Sequence, residues 1–149
     1  MTVDRPTIRP FVPADVERLA MQPAQSHLGE FMKHPGYLEA LARGDAWTAE
    51  TGDRIIGCAG IVMIGLHGTA WAMLAHDAGR FFIAIHRAVK RGLDSCPARR
   101  IEMHVDVNFE EGHRWARLLG FQQEAPRLRA WLPDGGDVSL YARVREWKR

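Results

Sequence analysis

Residues Arg54–Ile64, RIIGCAGIVMI, are apolar on both faces of an extended chain. Successive side chains of a strand point to opposite sides of its sheet. A strand of this composition has no face to give to water, so it must lie inside a sheet covered on both sides. The run before it, Ala46–Thr51, is also strand-like, and Gly52-Asp53 between the two is a hairpin signal. A further turn, Gly65-Leu66-His67-Gly68, leads into a strand over Thr69–Ala75.

What covers the sheet can be read from spacing. Phe82, Ile85, Val89 and Leu93 form one apolar stripe on a helix expected over Arg80–Cys96, which Pro97 ends. The segment Ile101–Val107 alternates with period two: Ile101, Met103, Val105 and Val107 share one face, Glu102, His104 and Asp106 the other. Phe109–Leu119 returns to helical spacing and stops at Gly120. Strands over 121–132 and 137–144 flank Pro133-Asp134-Gly135-Gly136, a turn sequence. Before all of these, residues 6–12 read as a short strand. A helix follows from Pro13 through Ala20, and another spans Pro35 to Arg43, stopped by Gly44. The order β-α-α-β-β-β-α-β-α-β-β predicts an α+β (mixed α/β) fold. Its central sheet is mostly antiparallel, with one parallel βαβ crossover and helices on both faces.

At 149 residues the chain is of single-domain size, so one domain over 1–149 is expected. A formal net charge of +2 makes no general case for nucleic acid or a membrane surface. The basic stretch Arg143–Arg149 reads as a frayed tail, and nucleic acid is not expected as a partner. Cys58 and Cys96 make no disulfide framework, and no apolar run is long enough for a leader or a membrane span. A cytoplasmic protein is expected. The seven histidines fall in no ligand spacing, so no metal site is expected.

The segment from Arg99 to Val107, Asn108, and then Gly112-His113-Arg114-Trp115-Ala116-Arg117-Leu118-Leu119-Gly120-Phe121 resembles the GNAT superfamily of acyl-CoA-dependent N-acyltransferases. In that family a strand ending near an Asn leads into a helix closed by Leu-Gly-Phe. The Gly-Asp hairpin before an Ile-Gly strand is similar to the family's second and third strands, and the resemblance covers about residues 6–144. A narrower likeness is to GNAT-like proteins of tailed phages and prophages, carried by Pro133-Asp134-Gly135 and Leu140-Tyr141-Ala142-Arg143-Val144.

The resemblance implies transfer of an acyl group, in the first place acetyl, from acetyl-CoA or another acyl-CoA to a small-molecule or protein amine. It places the acyl carrier between Thr69–Ala75 and Ile101–Val107, with its diphosphate at the helix start near Gly79. Free N–H groups and the helix dipole favour anions at such a start. The implied cofactor-binding residues are Leu74, Ala75, Gly79, Arg80, Phe81, Asn108 and Trp115; the implied catalytic residues are His76, Tyr141 and Asp106. The family's turn reads Gln/Arg-x-x-Gly-x-Gly/Ala, whereas this chain has His76-Asp77-Ala78-Gly79-Arg80-Phe81. Phe81 then either fills the cradle or packs on the sheet. A family tyrosine that donates to the leaving thiolate has Trp115-Ala116 in its place, and Tyr141 is the nearest phenol along that stretch. His104, on the polar face of its strand, is a further candidate base. The alternative is a catalytically lapsed GNAT-like protein serving as a phage or prophage structural component, with a homodimer or phage partner.

Overall fold

The computed structural model of the chain describes residues 5–21, 28–52 and 54–146. Seven strands form one sheet: β1 (Thr7–Pro10), β2 (Asp45–Thr51), β3 (Arg54–Ile64), β4 (His67–Leu74), β5 (Arg100–Asp106), β6 (Gln122–Leu128) and β7 (Val138–Val144). Their spatial order is β1-β2-β3-β4-β5-β7-β6. Only β4 and β5 run parallel; every other neighbouring pair is antiparallel. The helices are α1 (Leu28–Met32), α2 (Tyr37–Arg43), α3 (Phe82–Ser95) and α4 (Glu110–Leu118).

As its composition demands, β3 is interior and mostly buried. The α1/α2 side of the sheet packs Leu41 with Phe11, Val16, Leu19, Ile55, Cys58, Met73 and Ala75. The α3/α4 side packs Leu93, Ala116 and Leu119 with Ile61, Ile101, Val105, Phe121 and Tyr141. The hairpin glycines carry the backbone the turns need, with φ of 60° at Gly52 and 58° at Gly65, a region that costs glycine least. Asp53, the other half of the first turn, lies outside the described residues.

Several boundaries differ from the sequence reading, each for a local reason. The expected helix from Pro13 to Ala20 is a 3-10 helix over Pro13–Arg18. Asp15 there accepts a hydrogen bond from the Val12 N–H at 3.0 Å. Gly36, at φ 80°, delays α2 to Tyr37, and α1 is an element the sequence reading lacked. The turn before β4 tightens to Gly65-Leu66, so β4 starts at His67. At the end of β6 the expected strand breaks because Ala130 takes a left-handed φ of 52°.

Candidate active site

Register creates the site. β4 pairs with β5 only at His67↔Arg100, Gly68↔Ile101 and Thr69↔Glu102, yet β4 continues to Leu74 and β5 to Asp106. Beyond Thr69 the two strands part, and a cleft of about 950 Å³ opens between them. Its α3/α4 side is walled by Phe82, Ile85, Val89, Phe109, Gly112 and Trp115; its α1/α2 side by Phe31, Tyr37, Trp71, His104 and Trp131. Both walls are mainly apolar. A Cβ on Gly112 would sit 2.7 Å from the Phe109 ring and 2.8 Å from Val105, so only glycine lets α4 lie this close to β5.

At the mouth, a 3-10 turn over Ala78–Phe81 precedes α3, which starts at Phe82 rather than Arg80. This shift decides which of two adjacent phenylalanines enters the cleft. Phe81 packs on the sheet with Ala49, Ile56, Leu74, Ala78 and Ile85. The reading in which Phe81 fills the cradle is therefore corrected. Phe82 lines the cleft instead, stacked on His86 at 5.7 Å and edge-on to Trp115 at 5.9 Å. Gly79 is exposed, and a Cβ placed on it would meet nothing within 4 Å. The negative charge of Asp77 is occupied: Arg54 Nη2 donates to both its carboxylate oxygens at 2.5 and 2.6 Å and holds its pKa below the usual range.

Six of the residues singled out from the sequence meet in the cleft: Leu74, His76, Gly79, His104, Asp106 and Trp115. Trp115 Nε1 donates to His86 Nδ1 at 3.1 Å, which fixes its indole as wall. Asp106 Oδ1 accepts the Asn108 N–H at 2.9 Å, closing the turn after β5. The other five are not among the lining residues. Ala75 is buried, with its N–H bonded to Ile56 O at 3.0 Å. Arg80 is exposed over the Phe81 ring at 5.9 Å, and Asn108 is exposed beyond the strand end. Tyr141 is fully buried under α4.

The Tyr141 hydroxyl has a structural task. His113 Nε2 lies 3.1 Å from the Val107 carbonyl, which can only accept, so Nε2 carries a hydrogen. Nδ1 is hydrogen-bonded to the Tyr141 hydroxyl at 2.7 Å, while Gln123 approaches the same oxygen at 3.4 Å. Tyr141→Phe strands the buried Nδ1 and should cost about 1–3 kcal/mol of stability in urea unfolding.

Of the α1/α2 wall the sequence reading named only His104. The chain has two tyrosines, and the one that lines the cleft is Tyr37, whose phenol burial keeps protonated to higher pH than usual. His104 is half-buried and stacks on Trp131 with centroids 4.1 Å apart and planes 17° apart. Burial lowers its pKa from 6.5, against the opposing charge of Glu102, so its ring is neutral near pH 7. Among the described residues no group of three or more His, Cys, Asp or Glu could hold a metal ion, and no helix is long and apolar enough to cross a membrane.

The fold is that of GNAT acetyltransferases. The ribosomal-protein-S5-alanine acetyltransferase from Vibrio fischeri matches with a TM-score of 0.68 at 15% identity, covering 100% of this chain and 98% of that one. Ard1 from Thermoplasma volcanium matches at 0.72 with 16% identity over 97% and 100% of the two chains. A GNAT-family acetyltransferase from Streptococcus pneumoniae matches at 0.65 with 17% identity over 95% and 100%. No family model matches the chain, and no curated protein matches it in sequence. The likeness is one of backbone, and none of these three structures is described as a phage protein.

Proposed function

We propose that the chain is an acyl-CoA-dependent N-acyltransferase, moving an acyl group, in the simplest case acetyl, to a primary amine. The observation that carries this reading is the three-residue pairing of β4 with β5, followed by the open cleft. In acyl transfer the amine nitrogen bonds to the thioester carbon, the C–S bond breaks, and the sulfur leaves with a proton as the thiol. Phe82 and Trp115 give the carrier's arm an apolar wall, and the uncrowded turn at Gly79 leaves room for its diphosphate. His104, neutral near pH 7, takes the proton from the attacking nitrogen. Tyr37, the cleft's phenol, donates to the departing sulfur. Phe81 packed on the sheet removes one ground for the lapsed-enzyme alternative; Ala116 and the lack of a carboxylate on β4 remain its other grounds.

Calorimetric titration with acetyl-CoA tests the reading; no heat of binding at millimolar ligand removes it. If binding is seen, His104→Ala should lower kcat by about 100-fold or more with CoA affinity within about twofold. The acid limb of the wild-type kcat/KM profile should lie below pH 6.5, because burial favours the neutral ring, and the variant should lack that limb. A limb retained in His104→Ala assigns the base elsewhere.

A further inference from the structure

The α1/α2 wall of the cleft is built of rings. Phe31 stacks on Tyr37 at 5.7 Å and meets Trp131 at 6.3 Å, and Trp131 lies flat on His104. Trp71 adds a further indole, braced from behind by Phe11 in an edge-on contact at 5.2 Å. Charge is sparse. The carboxylates lining the cleft are Asp106 and Glu111, and Arg114, also lining it, lies 3.9 Å from Glu111. Asp106 is already engaged by the Asn108 N–H.

Backbone strain is spent on this wall. Ala130 is the one non-glycine with positive φ among the described residues, and it directly precedes Trp131. Its N–H is held by Asp137 Oδ1 at 2.8 Å, and the same carboxylate binds Arg127. Leu132 N–H to Gly136 O at 3.0 Å and Gly135 N–H to Leu132 O at 2.8 Å close the loop. The result leaves Trp131 43% exposed, over a cleft instead of in a core. A large apolar ring held at an opening by a strained residue is a feature of binding, not of packing.

We infer that the acceptor is an arylalkylamine: a primary amine on a short chain attached to a flat aromatic ring. This inference deepens the acyltransferase reading and rests on it. The ring enters between Trp131, Phe31 and Trp71, in the offset and edge-on contacts that aromatic groups prefer. Its amine then lies beside His104, whose ring the stack with Trp131 orients. A polyamine would need a row of free carboxylates, which this wall does not offer. A peptide N-terminus would need partners for several backbone groups, whereas the polar atoms of this wall are few: the Tyr37 hydroxyl, the His104 ring and the indole N–H groups, of which the buried Trp71 Nε1 has no hydrogen-bond partner among the described residues.

The test is calorimetry on the full chain, without CoA, using 2-phenylethylamine, spermidine and an alanine tripeptide, with acetyl-CoA titrated separately. The expected result is binding of 2-phenylethylamine about 10-fold tighter than the other two, a difference of the size aromatic contacts supply. Trp131→Ala should weaken it about 10-fold, Trp131→Phe should restore most of it, and the acetyl-CoA titration should not change. Equal or better binding of spermidine or the tripeptide overturns the inference, as does an unaltered affinity in Trp131→Ala; both leave the acyltransferase reading intact. Absence of acetyl-CoA binding, with 2-phenylethylamine still selected through Trp131, instead removes the acyltransferase reading and keeps the aromatic slot.

Discussion

Asp15→Ala should lower the unfolding free energy by about 3 kcal/mol, the cost of leaving the partners of a buried charge without it. Asp15 is 2% exposed, yet its carboxylate is fully engaged. Arg9 donates to both oxygens at 2.8 and 2.9 Å, Thr48 Oγ1 at 2.7 Å and the Val12 N–H at 3.0 Å. Removing it leaves the Thr48 hydroxyl, completely buried, with only the weak contact to Cys58 Sγ at 3.5 Å, and frees the 3-10 turn from β1 and β2. Burial alone would push this carboxyl up; the hydrogen bonds from Arg9, Val12 and Thr48 outweigh that and hold its pKa at about 2.

The sign follows from this depressed pKa. The stabilisation is present above the unfolded value of 3.8 and disappears as pH falls toward 2, because the protonated acid loses its attraction to Arg9. Its size is about 2.5 kcal/mol, each tenfold change in an acid constant being worth about 1.4 kcal/mol. Urea unfolding of wild type and Asp15→Ala from pH 7 to pH 2 checks it. The two curves should differ most above pH 5 and converge toward pH 2; a constant gap would show that the charge of Asp15 plays no part. Other carboxylates held low by arginines, among them Asp77, Asp94 and Glu102, titrate in both proteins and cancel in the difference. The network also reaches the cleft, since Phe11, which follows β1, is the ring that braces Trp71.

The elements that could be read in the sequence are those whose pattern has a period. The two-sided apolar run of β3, the stripe of α3 and the alternation of β5 each leave one burial solution, and each was met. The parting of β4 from β5 is a register event between distant segments and follows here from the family resemblance. Local pattern failed where neighbouring residues of equal character compete. Phe81 and Phe82 are both apolar at a helix start, and about 100° of helical rotation separates their directions. Only the placement of the 3-10 turn decides between them. Tyr141 lies in Val138-Ser139-Leu140-Tyr141-Ala142, where four of the five residues are buried and no alternation shows which face the phenol takes. Trp131 fell at the end of an expected strand; the left-handed Ala130 that turns it over the cleft has no signature in an Arg-Ala-Trp sequence. Phe31 and Tyr37 reach the site through tertiary packing of two short helices.

Ala72→Phe should abolish most acyl-CoA binding, by about 100-fold or roughly 2.7 kcal/mol, while leaving the fold almost as stable. Ala72 lies on β4 opposite Ala59 of β3, three residues past the last pairing with β5, and it lines the cleft. Residues of the same parity, Ala70 and Leu74, pack against the α3/α4 side, so a side chain at 72 projects to the wall formed by Phe82 and Trp115. A phenylalanine ring there occupies space that the proposed carrier arm needs, and it enters a cleft of about 950 Å³ rather than a filled core. Overpacking is costly only where atoms must be displaced, so the melting temperature should move by no more than a few degrees. The control is Ile83→Ala, at a side chain 68% exposed on α3, which should change neither quantity. Wild-type CoA affinity in Ala72→Phe would mean that the carrier does not run between these strands. Because Trp131 stands on the other wall, the amine titration with 2-phenylethylamine should survive Ala72→Phe, and its loss there would merge the two halves of the cleft into one site.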